Sequence, residues 1–264
     1  MLNKDHLKRD LLLIREKSPL VQNITNYVAM NFTAKALLAV GASPIMAHTI
    51  EEMEDLSKII SALVINIGTL DSGRVKSMLT VGKAAKSLGK PVILDPVGVG
   101  SSSFRTQTAW DIIKTCHPSI IRGNGSEIMA FIDADIKSKG VDSSESAADA
   151  LESAKILAQQ TNAIVVISGQ TDFITDGKQV ATIGNGSRLM TYVTAMGCTS
   201  TSIIGAFAAI NRNYFEAATH GMALMGVCGE RAIQKKAAPG SLSVNFIDEL
   251  YSITPKQLAD AAHE

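Results

Sequence analysis

Four side chains in this 264-residue sequence could do chemistry together: a thiol, two carboxylates and a guanidinium. Cys198 follows Gly197 at the start of an apolar helical stretch. Free backbone amides favour an anion at such a place and should lower the pKa of the thiol. Asp95 ends one apolar run and Glu127 lies a few residues after the next, and two such carboxylates can hold Mg²⁺ directly or through its waters. Arg122 lies between them, and its guanidinium suits phosphate oxygens.

Each of these residues also has a simpler interpretation. Cys198 could be a small packed residue, because free cysteines are commonly buried. Asp95 could cap a turn, and Glu127 could be an exposed acid that complements a helix dipole. Arg122 could form a surface ion pair. Whether they form a site therefore depends on the elements that position them.

Apolar β-branched runs alternate with longer stretches of helical periodicity, which predicts a parallel sheet with helices on both faces. The predicted strands are 61–67, 91–95, 118–121 and 163–168, and the predicted helices are 74–88, 106–116, 143–160 and 199–210. Residues 173–175 and 180–183 flank an Asp-Gly turn, which predicts a hairpin at the sheet edge. From residue 197 onward we expect only helices.

Polar, glycine-containing segments follow three of the predicted strands, at 95–100, 122–127 and 168–172. A fourth, at 194–198, opens the helix that follows the hairpin. Ligands of open α/β sheets bind beyond the carboxyl ends of the strands, so these loops should meet at one site. Asn23 follows the first apolar segment and could simply cap a helix or form a turn. Met46 ends a short segment with a buried-looking pattern and could offer an adaptable apolar surface to a flat ligand, although packing in the core is the usual role of a methionine. We expect His48 to be structural.

Composition narrows the class of protein. The sequence is 46% hydrophobic and 19% charged, and its 25 basic side chains balance 25 acidic ones. This balance argues against a dedicated binder of nucleic acid or anionic membranes, and no apolar run is long enough to cross a bilayer. The three cysteines lie far apart, which indicates neither a disulfide framework nor a zinc site. We expect one domain, residues 1–264, in the cytoplasm.

Several motifs together resemble the hydroxyethylthiazole kinase family, within the ribokinase-like fold. Cys198 stands where the wider superfamily carries an aspartate base, and in this respect the sequence resembles the thiazole kinases, which carry a cysteine there. The other matching segments are Val21-Gln-Asn-Ile-Thr-Asn26, Asn31-Phe-Thr-Ala34, Gly41-Ala-Ser-Pro-Ile-Met46, Asn66-Ile-Gly-Thr-Leu70, Leu94-Asp-Pro-Val-Gly-Val-Gly100 and Gly123-Asn-Gly-Ser-Glu127.

The resemblance implies a three-layer α/β fold and transfer of the ATP γ-phosphoryl group to the hydroxyl of 4-methyl-5-(2-hydroxyethyl)thiazole, in thiamine biosynthesis or salvage. It implies Cys198 as the group that accepts or relays the alcohol proton, and a homotrimer with sites at the subunit interfaces. The implied Mg²⁺ ligands are Asp95 and Glu127, the implied ATP contacts are Arg122, Ser168, Asn124 and Gly197, and the implied substrate contacts are Met46, Asn23 and Gly197.

Two positions depart from the family pattern. Ala195 replaces a usual glycine in Thr194-Ala-Met-Gly-Cys198, and Ala238 replaces another before Pro239. If residue 195 needs a backbone conformation that favours glycine, the strain costs on the order of 1 kcal/mol. The side chain of Ala195 or Met196 could also narrow the alcohol pocket.

Three alternatives stay open at this stage. The chain could phosphorylate another small alcohol, such as a hydroxymethylpyrimidine. It could be a cysteine hydrolase, which needs a histidine partner for Cys198 from among His48, His117 and His220. It could also bind a thiazole without catalysis.

Overall fold

Eight strands form the middle layer of the computed structural model, which describes residues 2–132, 145–235 and 238–264. They are β1 (Leu20–Ile24), β2 (Ser43–Ile45), β3 (Ala62–Asn66), β4 (Val92–Asp95), β5 (Ile120–Asn124), β6 (Ile164–Ser168), β7 (Asp172–Thr175) and β8 (Val180–Ile183). Their order in the sheet is β2-β1-β3-β4-β5-β6-β7-β8. The strands from β2 to β6 in this order pair in parallel. β7 pairs antiparallel with both of its neighbours, β6 and β8.

Helices cover both faces of the sheet. In the described ranges they are α1 (Lys4–Lys17), α2 (Met30–Val40), α3 (Met53–Ile59), α4 (Ser72–Ser87), α5 (Ser103–Cys116), α6 (Gly125–Met129), α7 (Glu145–Thr161), α8 (Met196–Ile210), α9 (Tyr214–Ile233), α10 (Pro239–Ser252) and α11 (Pro255–Ala261). Short 3₁₀ turns span Ile50–Glu52 and Arg188–Tyr192. Within this part of the chain, no helix is both long and apolar enough for a bilayer span.

Alternation of side chains along each strand builds two separate cores. In β3, Ala62 and Val64 join the core shared with α1, α2 and α8 to α11. Leu63 and Ile65 point the other way, into the core shared with α3 to α7. All four side chains are buried because helices cover both faces, as expected for parallel strands. This confirms the three-layer α/β fold.

Helix α8 packs closely on the middle of the sheet, against β1, β3 and β4. The close approach depends on Gly205, because a Cβ atom there would lie 2.8 Å from Cγ2 of Val64 and 3.3 Å from Cγ1 of Val21. The beginning of α8 is thereby held against the carboxyl ends of these strands.

Most predicted elements are present. The strands at 61–67, 91–95 and 163–168, the hairpin at the edge, and the helices at 74–88, 106–116 and 199–210 appear with small shifts of their ends. The helix predicted at 143–160 is α7, and residues 143 and 144 lie outside the described residues. β1 and β2 were not among the predicted strands.

The prediction for β5 ended too early. It stopped at residue 121, where the apolar run ends, but β5 continues to Asn124 because its backbone pairs with β6 as far as the Asn124–Ser168 position. Arg122 therefore lies in a strand and not in a loop, and its side chain has a defined direction.

Candidate active site

Polar residues near the carboxyl ends of the strands point towards α8. Each stands two positions after an apolar residue of the core on the α8 side, as Asn66 does after Val64, and therefore shares its face of the sheet. The set consists of Asn23, Asn66, Asp95, Arg122 and Ser168. The structure thus brings together most of the strand residues predicted for the site.

Asp95 is buried at the end of β4, and its two oxygens differ. Oδ2 accepts hydrogen bonds from Nδ2 of Asn66 (2.8 Å) and Oγ1 of Thr201 (2.8 Å). Oδ1 is buried and has no hydrogen-bond partner. Burial raises the pKa of the carboxyl group to about 6; Glu127 adds to the rise, while Arg122 opposes it.

Glu127 ties two loops together at the start of α6. Its Oε2 accepts from the backbone amide of Asn124 (2.9 Å), and Oδ1 of Asn124 accepts from the amide of Glu127 (2.9 Å), which completes a capping box. Oε1 of Glu127 accepts from the amide of Gly98 (2.9 Å), in the loop after β4. Asn124 is exposed, and its side chain acts here as a helix cap.

The two carboxylates offer different things to a divalent cation. Oδ1 of Asp95 is buried without a hydrogen-bond partner, whereas both oxygens of Glu127 already accept amide hydrogens. In the described residues, no group of three or more His, Cys, Asp and Glu could hold a metal ion. Mg²⁺ commonly keeps several waters and binds through one or two carboxylates together with substrate phosphates. The unpartnered Oδ1 of Asp95 is compatible with an ion bound in this way.

Arg122 lies against the first turn of α8. Its Nη2 donates to Oγ of Ser168 (2.6 Å), and its buried Nε has no hydrogen-bond partner. Gly197 makes this approach possible, since a Cβ atom at residue 197 would lie 3.0 Å from Nη1 of Arg122. A guanidinium and a helix N-terminus both favour an anion, so the structure joins Arg122, Ser168 and Gly197 in a positively polarised corner.

Cys198 is half-buried in the same turn, and its Sγ accepts a hydrogen bond from Nδ2 of Asn26 (3.2 Å). Burial raises the pKa of this thiol, and the charge of Asp95 raises it further, against the smaller effects of Asn26, Asn66 and Arg122. The expectation of an acidified thiol is therefore wrong: desolvation beside a carboxylate outweighs the position at the helix N-terminus.

None of the three histidines considered as partners is hydrogen-bonded to Cys198. His220 is buried with its Nδ1 2.8 Å from Oδ2 of Asp10. Nδ1 of His48 lies 3.4 Å from the backbone oxygen of Met46. His117 is the C-cap of α5 and comes just before β5, so it lies at the amino ends of the strands, away from Cys198. This geometry gives no support to a cysteine hydrolase.

The two residues predicted to flank the substrate have different surroundings. Met46 is half-buried and directly follows β2, so it lies at the carboxyl ends of the parallel strands, as the other site residues do. Asn23 is fully buried inside β1; its Nδ2 donates to the oxygen of Val21, and its Oδ1 accepts from Oγ of Ser202 (2.7 Å). Contact of Met46 and Asn23 with a substrate stays a prediction.

The departure at residue 195 has a structural counterpart. Ala195 is the N-cap of α8 and has a left-handed backbone, with φ 72° and ψ 1°, a conformation that favours glycine. Met196 is buried in the core on the α8 side and is only 7% exposed. This packing in the core gives no support to the idea that Met196 narrows the pocket.

Three polar side chains of the site were not predicted from the sequence. Asn26, Asn66 and Thr201 bind Cys198 or Asp95 directly. Asn66 had a usable signal, since it stands two positions after Val64 on the same face of β3. Asn26 and Thr201 lie outside any strand, so the alternation rule does not apply to them.

Comparison with known proteins gives one family. The sequence profile of the hydroxyethylthiazole kinase family matches residues 11–256. A hydroxyethylthiazole kinase of Leptospira biflexa is 53% identical over 244 residues, which cover 92% of this chain and 91% of that protein. One of Desulfotalea psychrophila is 46% identical over 249 residues, covering 94% and 91%.

Solved structures agree. A hydroxyethylthiazole kinase protein from Pyrococcus horikoshii superposes with a TM-score of 0.89 at 36% identity, covering 98% of both chains. The pyridoxal kinase from Staphylococcus aureus, solved with AMP-PCP and pyridoxal, superposes with a TM-score of 0.58 at 15% identity, over 80% of this chain and 87% of that one. The second similarity concerns the fold alone.

Proposed function

The chain belongs to the hydroxyethylthiazole kinase family, and on that premise we propose that it transfers the γ-phosphoryl group of ATP to the hydroxyl of 4-methyl-5-(2-hydroxyethyl)thiazole. The observation that carries the proposal is the arrangement of Cys198, Asp95 and Arg122 around the first turn of α8. Phosphoryl transfer requires alignment and stabilisation of charge more than a protein nucleophile. A role in thiamine salvage fits this family.

The phosphate-binding part of the site is the corner formed by Gly197 and Arg122. Backbone amides at the start of α8 and the guanidinium of Arg122 would stabilise charge on the transferred phosphoryl group. Ser168 already accepts a hydrogen bond from Arg122 (2.6 Å), and together with Asn124 it would contact the nucleotide.

Asp95 and Glu127 would hold Mg²⁺ together with the phosphates of ATP. When bound, this ion neutralises negative charge on the β- and γ-phosphates. The unpartnered Oδ1 of Asp95 supports the assignment. Glu127 also keeps the loop after β4 against the start of α6, through its bonds to Gly98 and Asn124.

Cys198 would accept or relay the proton of the acceptor alcohol. Its raised pKa makes the thiol a poor permanent anion, but a loose transition state needs little deprotonation before the new bond forms. The hydrogen bond from Asn26 holds Sγ in place. Met46 and Asn23 would flank the thiazole ring.

We also propose that the chain acts as one kinase domain in a cytoplasmic homotrimer with a site at each subunit boundary. Tyr27 and Val28 are exposed apolar residues that directly follow Asn26, and Tyr192 is another, three residues before Ala195. Burial of such side chains favours association. The free cysteines support a reducing compartment. Sedimentation analysis tests the trimer, and a fully active monomer would exclude it.

A turnover assay tests the proposed function. The purified chain is given ATP, Mg²⁺ and the thiazole alcohol, and phosphorylated thiazole is followed by mass spectrometry. We expect steady turnover that decreases strongly in Cys198→Ala. Turnover only with a hydroxymethylpyrimidine would identify another alcohol kinase, and thiazole binding without turnover would identify a binding protein.

A further inference from the structure

Two asparagines link Cys198 to Asp95 through a continuous chain of hydrogen bonds. Nδ2 of Asn26 donates both to Sγ of Cys198 (3.2 Å) and to Oδ1 of Asn66 (3.0 Å). Nδ2 of Asn66 donates to Oδ2 of Asp95 (2.8 Å). We call Asn26 and Asn66 the amide relay.

Backbone amides fix the direction of this relay. The amide of Ala29 donates to Oδ1 of Asn26 (2.9 Å), and the amide of Gly68 donates to Oδ1 of Asn66 (2.9 Å). A flipped Asn66 would place its NH₂ group against two donors and its oxygen against the carboxylate of Asp95. Each side chain therefore has one favourable orientation, in which Sγ and Oδ2 are both acceptors.

The surrounding chain is built closely around the relay. Asn66 is 1% exposed, and it is the direct neighbour of Asp95 in the pairing of β3 with β4. A Cβ atom at Gly68 would lie 2.9 Å from Nδ2 of Asn26 and 2.9 Å from Oδ1 of Asn66. Buried amides destabilise a fold unless their hydrogen bonds are made, and these two make them with each other and with the two ends of the site.

We propose that Asn26 and Asn66 are positioning residues for phosphoryl transfer, which hold the thiol of Cys198 at a constant place and orientation relative to the carboxylate of Asp95. This inference rests on the proposed function. Nδ2 of Asn26 donates a hydrogen bond to Sγ from one side, so the other side of the sulfur would face the acceptor alcohol. Asn66, together with Thr201, occupies Oδ2 of Asp95 and leaves Oδ1 as the oxygen without a partner.

Steady-state kinetics of three variants test the relay. Asn66→Ala removes the central amide, and Asn26→Asp keeps the shape but removes the donor to Sγ. Loss of positioning should lower kcat about tenfold or more, with the KM values for ATP and the thiazole alcohol within about twofold of wild type. Asn185→Ala is the matched control, because Asn185 is also buried and makes three hydrogen bonds, to Glu230, Ala261 and His263. Its kcat should stay within about twofold of wild type even if its unfolding temperature decreases.

Alkylation of the native protein by iodoacetamide, without metal or substrate, gives a second measurement. Cys116 and Cys228 are fully buried, so the reaction reports on Cys198. Asn26→Asp replaces a donor to Sγ by an acceptor and should slow alkylation about fivefold or more, because only the thiolate reacts. Asn185→Ala should react at the wild-type rate.

Three results would overturn the relay: relay variants with wild-type kcat, relay variants whose loss lies only in KM, or an unchanged alkylation rate in Asn26→Asp. If Asn66→Ala does not fold, Gly68→Ala retains both amides while forcing them apart, and it should show the same loss of kcat. In a Cys198→Ala background, Asn26→Asp should lower kcat by a smaller factor than it does in the wild type. Absence of thiazole phosphorylation by the wild type would refute the proposed function, whereas the alkylation rates need no substrate and judge the relay separately.

Discussion

Ala195→Gly is the substitution for which the backbone makes the sharpest prediction. Ala195 caps α8 with φ 72°, and its carbonyl accepts the first hydrogen bond of the helix, from the amide of Thr199 (2.8 Å). The conformation must be kept if α8 is to begin where it does. Glycine adopts this conformation without the clash of a Cβ atom.

The expected gain in stability is the difference between two opposing terms. A left-handed backbone costs an L-residue with a Cβ atom about 1–2 kcal/mol. Glycine loses roughly 0.5–1 kcal/mol more conformational entropy than alanine when the chain folds. The middle values of these two ranges differ by about 0.8 kcal/mol. The free energy of unfolding should increase by about that amount in Ala195→Gly, which corresponds to a Tm about 2–3 °C higher for a chain of this size.

A kinetic effect should accompany the gain if the methyl group of Ala195 also crowds the acceptor alcohol. Removing it would then lower the KM for the thiazole alcohol or raise kcat, worth at most about 1 kcal/mol, a few-fold to tenfold in kcat/KM. The KM for ATP should not change, because residue 195 is not among the proposed nucleotide contacts, which are Arg122, Ser168, Asn124 and Gly197.

Differential scanning calorimetry and steady-state kinetics of Ala195→Gly and Ser18→Gly separate these two effects. Ser18 is exposed, ends α1 and also has a positive φ, of 44°. Ser18→Gly should raise Tm without changing kinetics. An unchanged or lower Tm in Ala195→Gly would refute the strain argument. An unchanged thiazole KM and kcat would show that the methyl group does not face the acceptor.

Three further predictions concern Cys198, the two carboxylates of the site, and Asp172, a buried carboxyl group at the start of β7. Cys198→Asp should retain substantial kinase activity while Cys198→Ala loses most of it, and a covalent phosphoryl adduct on Cys198 during turnover would contradict the role as proton acceptor. Asp95→Ala and Glu127→Ala should each lower Mg²⁺-dependent turnover with the fold intact by circular dichroism; full activity in excess chelator would remove the metal assignment. Burial raises the pKa of Asp172 to about 6, so its ionisation opposes folding as pH rises from about 4 to 6. Asp172→Asn should then raise the free energy of unfolding by about 2–3 kcal/mol at neutral pH and above, with no gain below about pH 4. A gain that is the same at both pH values would show that the charge of Asp172 is not its cause.

Much of the site could be predicted because a strand alternates its side chains. Asp95 and Ser168 end apolar runs, and the two cores confirm that such runs are strands buried on both faces. The end of the apolar run at residue 121 did not mark the end of β5, because the strand continues through Arg122 to Asn124: its pairing with β6 is made by backbone groups, which the side-chain pattern does not report. The pKa of Cys198 was predicted in the wrong direction because burial and distance to Asp95 are properties of the folded chain.

The amide relay could not be predicted, because it depends on the order of strands at one place in the sheet. β2 lies on one side of β1 and β3 on the other, so the chain leaves β1 in one direction and continues from β3 in the opposite direction. The helix after β1 packs in the core on the α8 side, and the helix after β3 packs in the other core. Open α/β sheets bind their ligands where the strand order reverses in this way. Asn26 lies in the loop after β1 and contacts both Asn66, which ends β3, and Cys198, which lies in the first turn of α8. Residues so far apart in the chain meet only because strand order reverses at β1, and the residue pattern of β2, a short strand of half-buried side chains, does not indicate on which side of β1 it pairs.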